Sequence, residues 1–282
     1  MNGNLTPQEM VEYTSHTGEH KAHKKIIKTM LNGYIAGTFI GLAAFGSLMA
    51  SQNLLINPET YGIGKLISGI IFASGLVMVL IAGGELFTGN SLLIVSFLNK
   101  EITLKDMFKN WTLVYLGNLL GCLTIVGLVA ISGLIHHGDA IGIVTLKMVS
   151  NKVNNTFMQS LSLGILCNIL VAVAVWMSYA TKDVVGKIWA VFFPVMLFVL
   201  SGYEHSIANM FYIPMGMILK PEFTQFVLEK GVSLQALSNI SIQGMISNLI
   251  PVTIGNIIGG CLFIGVLYWY SNRNEDKTHT NL

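Results

Sequence analysis

The sequence predicts an all-α membrane protein of six spanning helices, the second and fifth broken, arranged as an inverted 3+3 repeat. Three observations carry this. Only 11% of the 282 residues are Asp, Glu, Lys or Arg against 52% hydrophobic, and the mean hydropathy is +0.64. That is about half the charge of a soluble domain, so much of the surface must meet lipid. The apolar residues are gathered into six stretches long enough to cross a bilayer, and one Gly-Asn motif recurs in the second half of the chain. A net charge of +2 with scattered lysines excludes a nucleic-acid footprint, and the long apolar runs exclude disorder. Cys122, Cys167 and Cys261 all lie inside apolar runs and imply no disulfide framework.

The elements follow in order. Residues 1–28 are polar, read as a cytoplasmic tail, and hold no apolar signal-peptide core, so the first long run is expected to be the insertion signal. A span needs about 20 apolar residues. Thr29 to about Leu55 supplies the first. Leu66 to Asn99 runs 34 positions interrupted only by Glu85, Trp111–Ile135 and Phe157–Ala180 supply the third and fourth spans, and Ile188 to Leu219 runs 32 positions interrupted by Glu204 and His205. Ile246–Tyr270 supplies the sixth. The two overlong runs exceed one straight helix yet are too short for two spans and a turn. Each is therefore one broken element, with the break expected at Gly83–Ser91 and at Ser201–Asn209, where glycines and amides can end and restart a helix. The channel domain is then 29–270, with a second tail over 271–282. With the amino terminus inside, the inner segments hold 11 Lys and Arg and the outer loops 5, namely Lys65, Lys147, Lys152, Lys220 and Lys230. The bias predicts both termini on the cytoplasmic side of the cell inner membrane.

The repeat is read from two pairs of motifs. Leu116-Gly117-Asn118-Leu119-Leu120-Gly121-Cys122-Leu123 matches Ile254 to Leu262 with one extra glycine, and Glu85-x4-Asn90 matches Glu204-x4-Asn209. The halves, about 29–135 and 157–270, each cross three times, so the second must run opposite to the first and the two breaks meet near the midplane.

Broken backbone at membrane depth marks a cavity or a site. Its ionisable groups are Glu85, Glu204 and His205, and a carboxylate at a helix centre costs about 2.5–3.5 kcal/mol on insertion scales. For Glu85 and Glu204, with Asn90 and Asn209 beside them, the expectation is support of the freed backbone N–H groups. His205 ordinarily titrates near pH 6.5 and lies in the break itself, so it is expected in the pore rather than in a helix-to-helix bond. Thr88 either bonds a backbone carbonyl or faces a substrate. Half-helix amino termini in both breaks would favour an anion or a polar neutral solute. His16, His20 and His23 have loosely metal-like spacing but lie among lysines in the polar tail, and His136 and His137 fall in an outer loop; no metal, cofactor or enzymatic activity is expected.

At these residues the sequence resembles the formate/nitrite transporter family. Gly83 to Asn90 reads as its first signature, Gly164-Ile165-Leu166-Cys167-Asn168-Ile169-Leu170-Val171 as its second, and Gly202-Tyr203-Glu204-His205-Ser206-Ile207-Ala208-Asn209-Met210 as its histidine loop. The resemblance, from about Lys25 to Tyr270, implies an aquaporin-like fold, a homopentamer with one pore per protomer, and conduction of a small monovalent anion: formate, nitrite or hydrosulfide. It implies that His205 is the pore-centre histidine, Thr88 the hydroxyl on the first break, Lys152 the vestibule lysine, and Asn168 a bonding partner near the histidine. Phe72, Leu76, Leu86, Phe87 and Phe198 match the apolar constrictions. The rivals are a proton-coupled carrier of the same anions, with Glu204 and His205 as relay, and a water or glycerol channel. The second would normally show Asn-Pro-Ala in both breaks, and neither break has a proline near its asparagine.

Overall fold

The computed structural model describes residues 4–136 and 139–273; His137, Lys277 and most of the 271–282 tail lie outside them. All its regular elements are helical, and six are long and apolar enough to span a bilayer. The first is α2 (Ile26–Ile56). The second is α3 (Tyr61–Met78), which runs through a π turn at Val79–Gly83 into the first break, after which a 3-10 turn, Gly89–Leu92, leads into α4 (Leu93–Leu98). The third is α5 (Leu104–Ile131) and the fourth α7 (Phe157–Tyr179). The fifth, α8 (Val184–Ser201), stops at the second break, beyond which α9 (Ser206–Glu229) continues. The sixth is α11 (Ile242–Ile258), prolonged by a π segment and α12 (Leu267–Asn272).

Capping chemistry sets several starts. Thr103 with Asp106 and Thr156 with Gln159 form capping boxes, so the third helix begins at Leu104, seven residues before the charge-free run that marks it in the sequence. Both breaks turn on a glycine in the left-handed region, Gly83 at φ 95° and Gly202 at φ 78°.

Two segments expected to lie outside the helical bundle are folded. The polar tail forms α1 (Pro7–Ala22), started by a Thr6–Glu9 capping box with proline at its first turn, and it packs on α4, α5, α7 and α12. Between the third and fourth spans, α6 (Asp139–Asn154) packs on α9. A short α10 (Leu234–Ser238) follows α9.

Glycine sets how closely the spans approach. α5 crosses α2 at Gly117 and Gly121, and the sixth span crosses α7 at Gly255 of α11 and at Gly259, where its π segment starts. A Cβ on Gly121 would collide with the Tyr34 carbonyl, and one on Gly259 with the Ile165 carbonyl. Each obstacle is rigid backbone, so Gly121→Ala should cost about 1–3 kcal/mol or more by overpacking. Thermal unfolding in detergent reads this; an unchanged midpoint would contradict the packing.

Candidate pore

The two breaks are held by matched sets of bonds. The Asn118 amide donates to the carbonyls of Gly33 (2.7 Å) and Glu85 (2.9 Å), and its oxygen accepts the Phe87 N–H (3.0 Å). Asn256 donates to the carbonyls of Gly164 (2.8 Å) and Glu204 (3.0 Å) and accepts the Ser206 N–H (2.9 Å). Each asparagine thus takes up one carbonyl and one N–H that the interrupted helix would leave without partners, and ties them to a carbonyl of the preceding span. The glutamate N–H groups are taken by the preceding span: Glu85 donates to the Asn32 carbonyl and Glu204 to that of Leu163.

The carboxylates are matched as well. Glu85 Oε1 pairs with Lys24 at 2.5 Å and its Oε2 accepts from Asn90 at 3.0 Å. Glu204 Oε1 pairs with Lys152 at 2.8 Å and its Oε2 accepts from Asn209 at 2.6 Å. Asn90 and Asn209 in turn donate to Asn110 and Asn248, which donate to the carbonyls of Lys21 and Lys152. The sets differ in their further bonds: Asn110 also donates to Glu85 Oε2 at 3.2 Å and Asn32 to Glu85 Oε1 at 3.4 Å, without counterparts at Glu204 among the described residues. Lys21 reaches Asn90 Oδ1 at 2.8 Å, whereas Asn209 Oδ1 has no partner among the described residues. Burial lowers the Lys21 pKa from its ordinary value, opposed by the nearby charge of Glu85.

At the centre the breaks touch. His205 caps α9: its Nδ1 accepts the Ala208 N–H at 3.0 Å. A ring nitrogen that accepts carries no proton, so the neutral imidazole bears its hydrogen on Nε2. Nε2 lies 2.9 Å from Thr88 Oγ1 on the other break. A second proton, on Nδ1, would displace the Ala208 bond and set a cation at the positive end of a helix. Phe198 stacks on the imidazole with centroids 5.7 Å apart, and Phe72 meets Phe198 edge-on at 5.7 Å.

A cavity of about 630 Å³ reaches His205 but not Thr88, which is buried behind it. Phe72, Phe198, Glu204 and His205 line it, together with Lys65, Lys147, Lys152 and Lys230. Four lysines assigned to outer loops by the charge count thus converge on one mouth. Lys152 also lies 5.7 Å from the Tyr212 ring centroid.

The other expected residues lie apart from it. Asn168 donates to the Thr88 carbonyl (3.1 Å) and the Asn256 carbonyl (2.6 Å), so it holds the backbone beside His205 rather than the imidazole. Leu76 and Leu86 are buried and do not line the cavity, and Phe87 packs edge-on to Trp111 and Tyr115. Sequence reasoning missed Lys21, Lys24, Asn110 and Asn248. A signal existed for the asparagines: Asn110-x7-Asn118 recurs as Asn248-x7-Asn256. None existed for Lys24, one lysine among several in a polar segment.

Comparison with known proteins agrees with this arrangement. The profile of the formate/nitrite transporter family matches residues 8–270. The chain is 40% identical to the formate channel FocA of Haemophilus influenzae over 98% of its own length and 96% of that protein's. It is 39% identical to FocA of Escherichia coli K12, over 98% and 97%. A solved structure described as a pentameric formate channel with formate bound superposes with TM-score 0.76 at 34% identity, covering 87% of this chain and 97% of that one. A second, described as an ion channel of the same family, superposes with TM-score 0.80 at 26% identity, covering 93% and 98%. Matched by the family's profile over residues 8–270 and 40% identical to a formate channel over 98% of its length, this chain belongs to the formate/nitrite transporter family.

Proposed function

We propose that the protein is a membrane channel that passes small monovalent anions or their conjugate weak acids, formate first among them, through a pore in each protomer of a homopentamer. The observation that carries this is a cavity lined by four lysines and reaching the His205 imidazole, which Phe198 stacks on and which meets the buried Thr88 hydroxyl of the other break. The formate channels among its relatives support the anion.

An anion entering an apolar constriction loses hydration worth many kcal/mol. A lysine 4 Å away attracts it by about 1 kcal/mol in water and about 4 kcal/mol at an effective dielectric of 20. Lysines at the mouth therefore concentrate anions without carrying them across. Past the Phe72–Phe198 pair, Thr88 and His205 offer the hydrogen-bonding groups, and the amino terminus of α9 adds positive partial charge. In this reading the anion is stabilised there and crosses as the neutral acid, taking the Nε2 proton of His205, which the ring regains from solution, and releasing its own to solution on leaving. Asn168, Asn90, Asn209, Glu85 and Glu204 position the two breaks, and Leu76, Leu86 and Phe87 supply apolar packing around them.

The fold that goes with this is an aquaporin-like inverted repeat. The paired bonds of Asn118 and Asn256, and of Lys24–Glu85 and Lys152–Glu204, support it. They extend it to α1 and α6, each lying just before or bearing its lysine. The chain crosses the inner membrane with both termini cytoplasmic. Val185, Trp189, Phe193 and Leu197 form an exposed apolar stripe on α8, fit for lipid or a neighbouring protomer.

Flux into liposomes across a panel of monovalent anions and a pH series tests the reading. Formate should equilibrate rapidly down its gradient; glycerol uptake without anion uptake would overturn it, and accumulation against a gradient would favour the carrier. His205→Gln should flatten the pH dependence of formate flux, and an unchanged profile would remove proton transfer from the mechanism.

A further inference from the structure

We propose that α1 carries a two-histidine clip for a late first-row divalent cation, formed by His16 and His20. The sequence places His16, His20 and His23 among lysines in a polar tail, and the structure makes the first two neighbours on a helix. They stand four positions apart on α1, both exposed, with ring centroids 4.5 Å apart. Residues at this spacing share a helix face, and two histidines so placed are the arrangement by which helices hold zinc. The order His16-x2-Glu19-His20 is itself that of one class of zinc-binding helix.

The surroundings suit a cation. Glu12 and Glu19 lie one turn and one residue from the pair, on the same side of α1. The opposite side is fixed: Gly18 lies so close to Ser96 that a Cβ would collide with it, and Ser15 donates to Glu101 at 2.5 Å. α1 therefore cannot roll to bury the imidazoles without losing its seat. No group of three or more metal-binding side chains forms among the described residues, so water completes the coordination. Imidazole suits Zn²⁺, Ni²⁺ and Cu²⁺, with Cu²⁺ bound tightest. His23 is excluded, because it is the C-cap of α1 and has left the regular helix.

Because the clip exists only when residues 16 to 20 are helical, the ion stabilises α1. With free ion at ten times its Kd, opening of the helix is suppressed about tenfold. The test uses the full-length protein without a purification tag. Cu²⁺ is followed by electron paramagnetic resonance, and Zn²⁺ by amide hydrogen exchange. About one Cu²⁺ per chain with nitrogen coupling is expected, lost in His16→Gln and in His20→Gln and kept in His23→Gln. Zn²⁺ should slow exchange of the α1 amides about tenfold at ten times its Kd, in the native protein and not in the two variants. Cu²⁺ coupling that survives both variants, or α1 exchange indifferent to Zn²⁺, would overturn the clip. Formate flux measured on the same variants keeps failure of the clip separate from failure of the channel reading.

Discussion

Lys152→Met is expected to lower the unfolding free energy by about 3–5 kcal/mol, the usual cost of removing one partner of a buried ion pair. Glu204 is 3% exposed and its Oε1 faces the Lys152 ammonium at 2.8 Å. Without that ammonium the carboxylate's one remaining hydrogen bond among the described residues is that of the Asn209 amide on its other oxygen, with the Lys65 charge nearby. The double variant Lys152→Met/Glu204→Gln should recover most of the loss, since it replaces a stranded charge by a neutral amide of the same shape. Lys24→Met should cost less, because its side chain is 29% exposed and solvent screens the pair. Chemical unfolding in detergent reads all three. A Lys152→Met protein as stable as the native one would show that the pair does not hold the break. Flux at low formate separates a second role: the double variant should regain stability but not the anion concentration that the lysine provides.

Asn256→Ala and Asn118→Ala should each be more damaging than their size suggests. Each truncation leaves one carbonyl and one N–H of the break buried without partners, and removes a second bond from a carbonyl inside the preceding span. At about 1–3 kcal/mol per orphaned group the sum is several kcal/mol, against a total stability of only about 5–15 kcal/mol. The expected result is loss of the folded oligomer on size-exclusion chromatography, or a large fall in unfolding midpoint. Asn256→Asp tests the cause. It keeps the acceptor for the Ser206 N–H but sets an oxygen against the Gly164 and Glu204 carbonyls, so it should behave nearly as badly as alanine. A well-folded Asn256→Asp protein would show that the donor bonds contribute little.

These asparagines mark the limit of what a single sequence discloses. Gly117-Asn118 and Gly255-Asn256 are legible as a repeated motif, and the glycines follow from the need of crossing helices to approach closely. The three bonds of Asn118 are not legible, because they join α5 to residues 33, 85 and 87, brought near only by folding. The same holds for Lys24. Its charge reads as part of a polar tail, and its pairing with Glu85 across 61 positions exists only because α1 folds back onto the breaks.

The sequence by itself determined the solvent, the six crossings and the position of both breaks. Those follow from local composition: lipid tolerates no unpaired charge or backbone group, so every polar residue within an apolar run announces itself. Tertiary structure alone decided which face α1 covers, which lysine meets which glutamate, and which nitrogen of His205 bears the proton. Each of these depends on distances between segments far apart in the chain. His205 was legible as a histidine in a break; that it caps α9 through Nδ1 and turns Nε2 toward Thr88 follows from two helices ending within reach of each other.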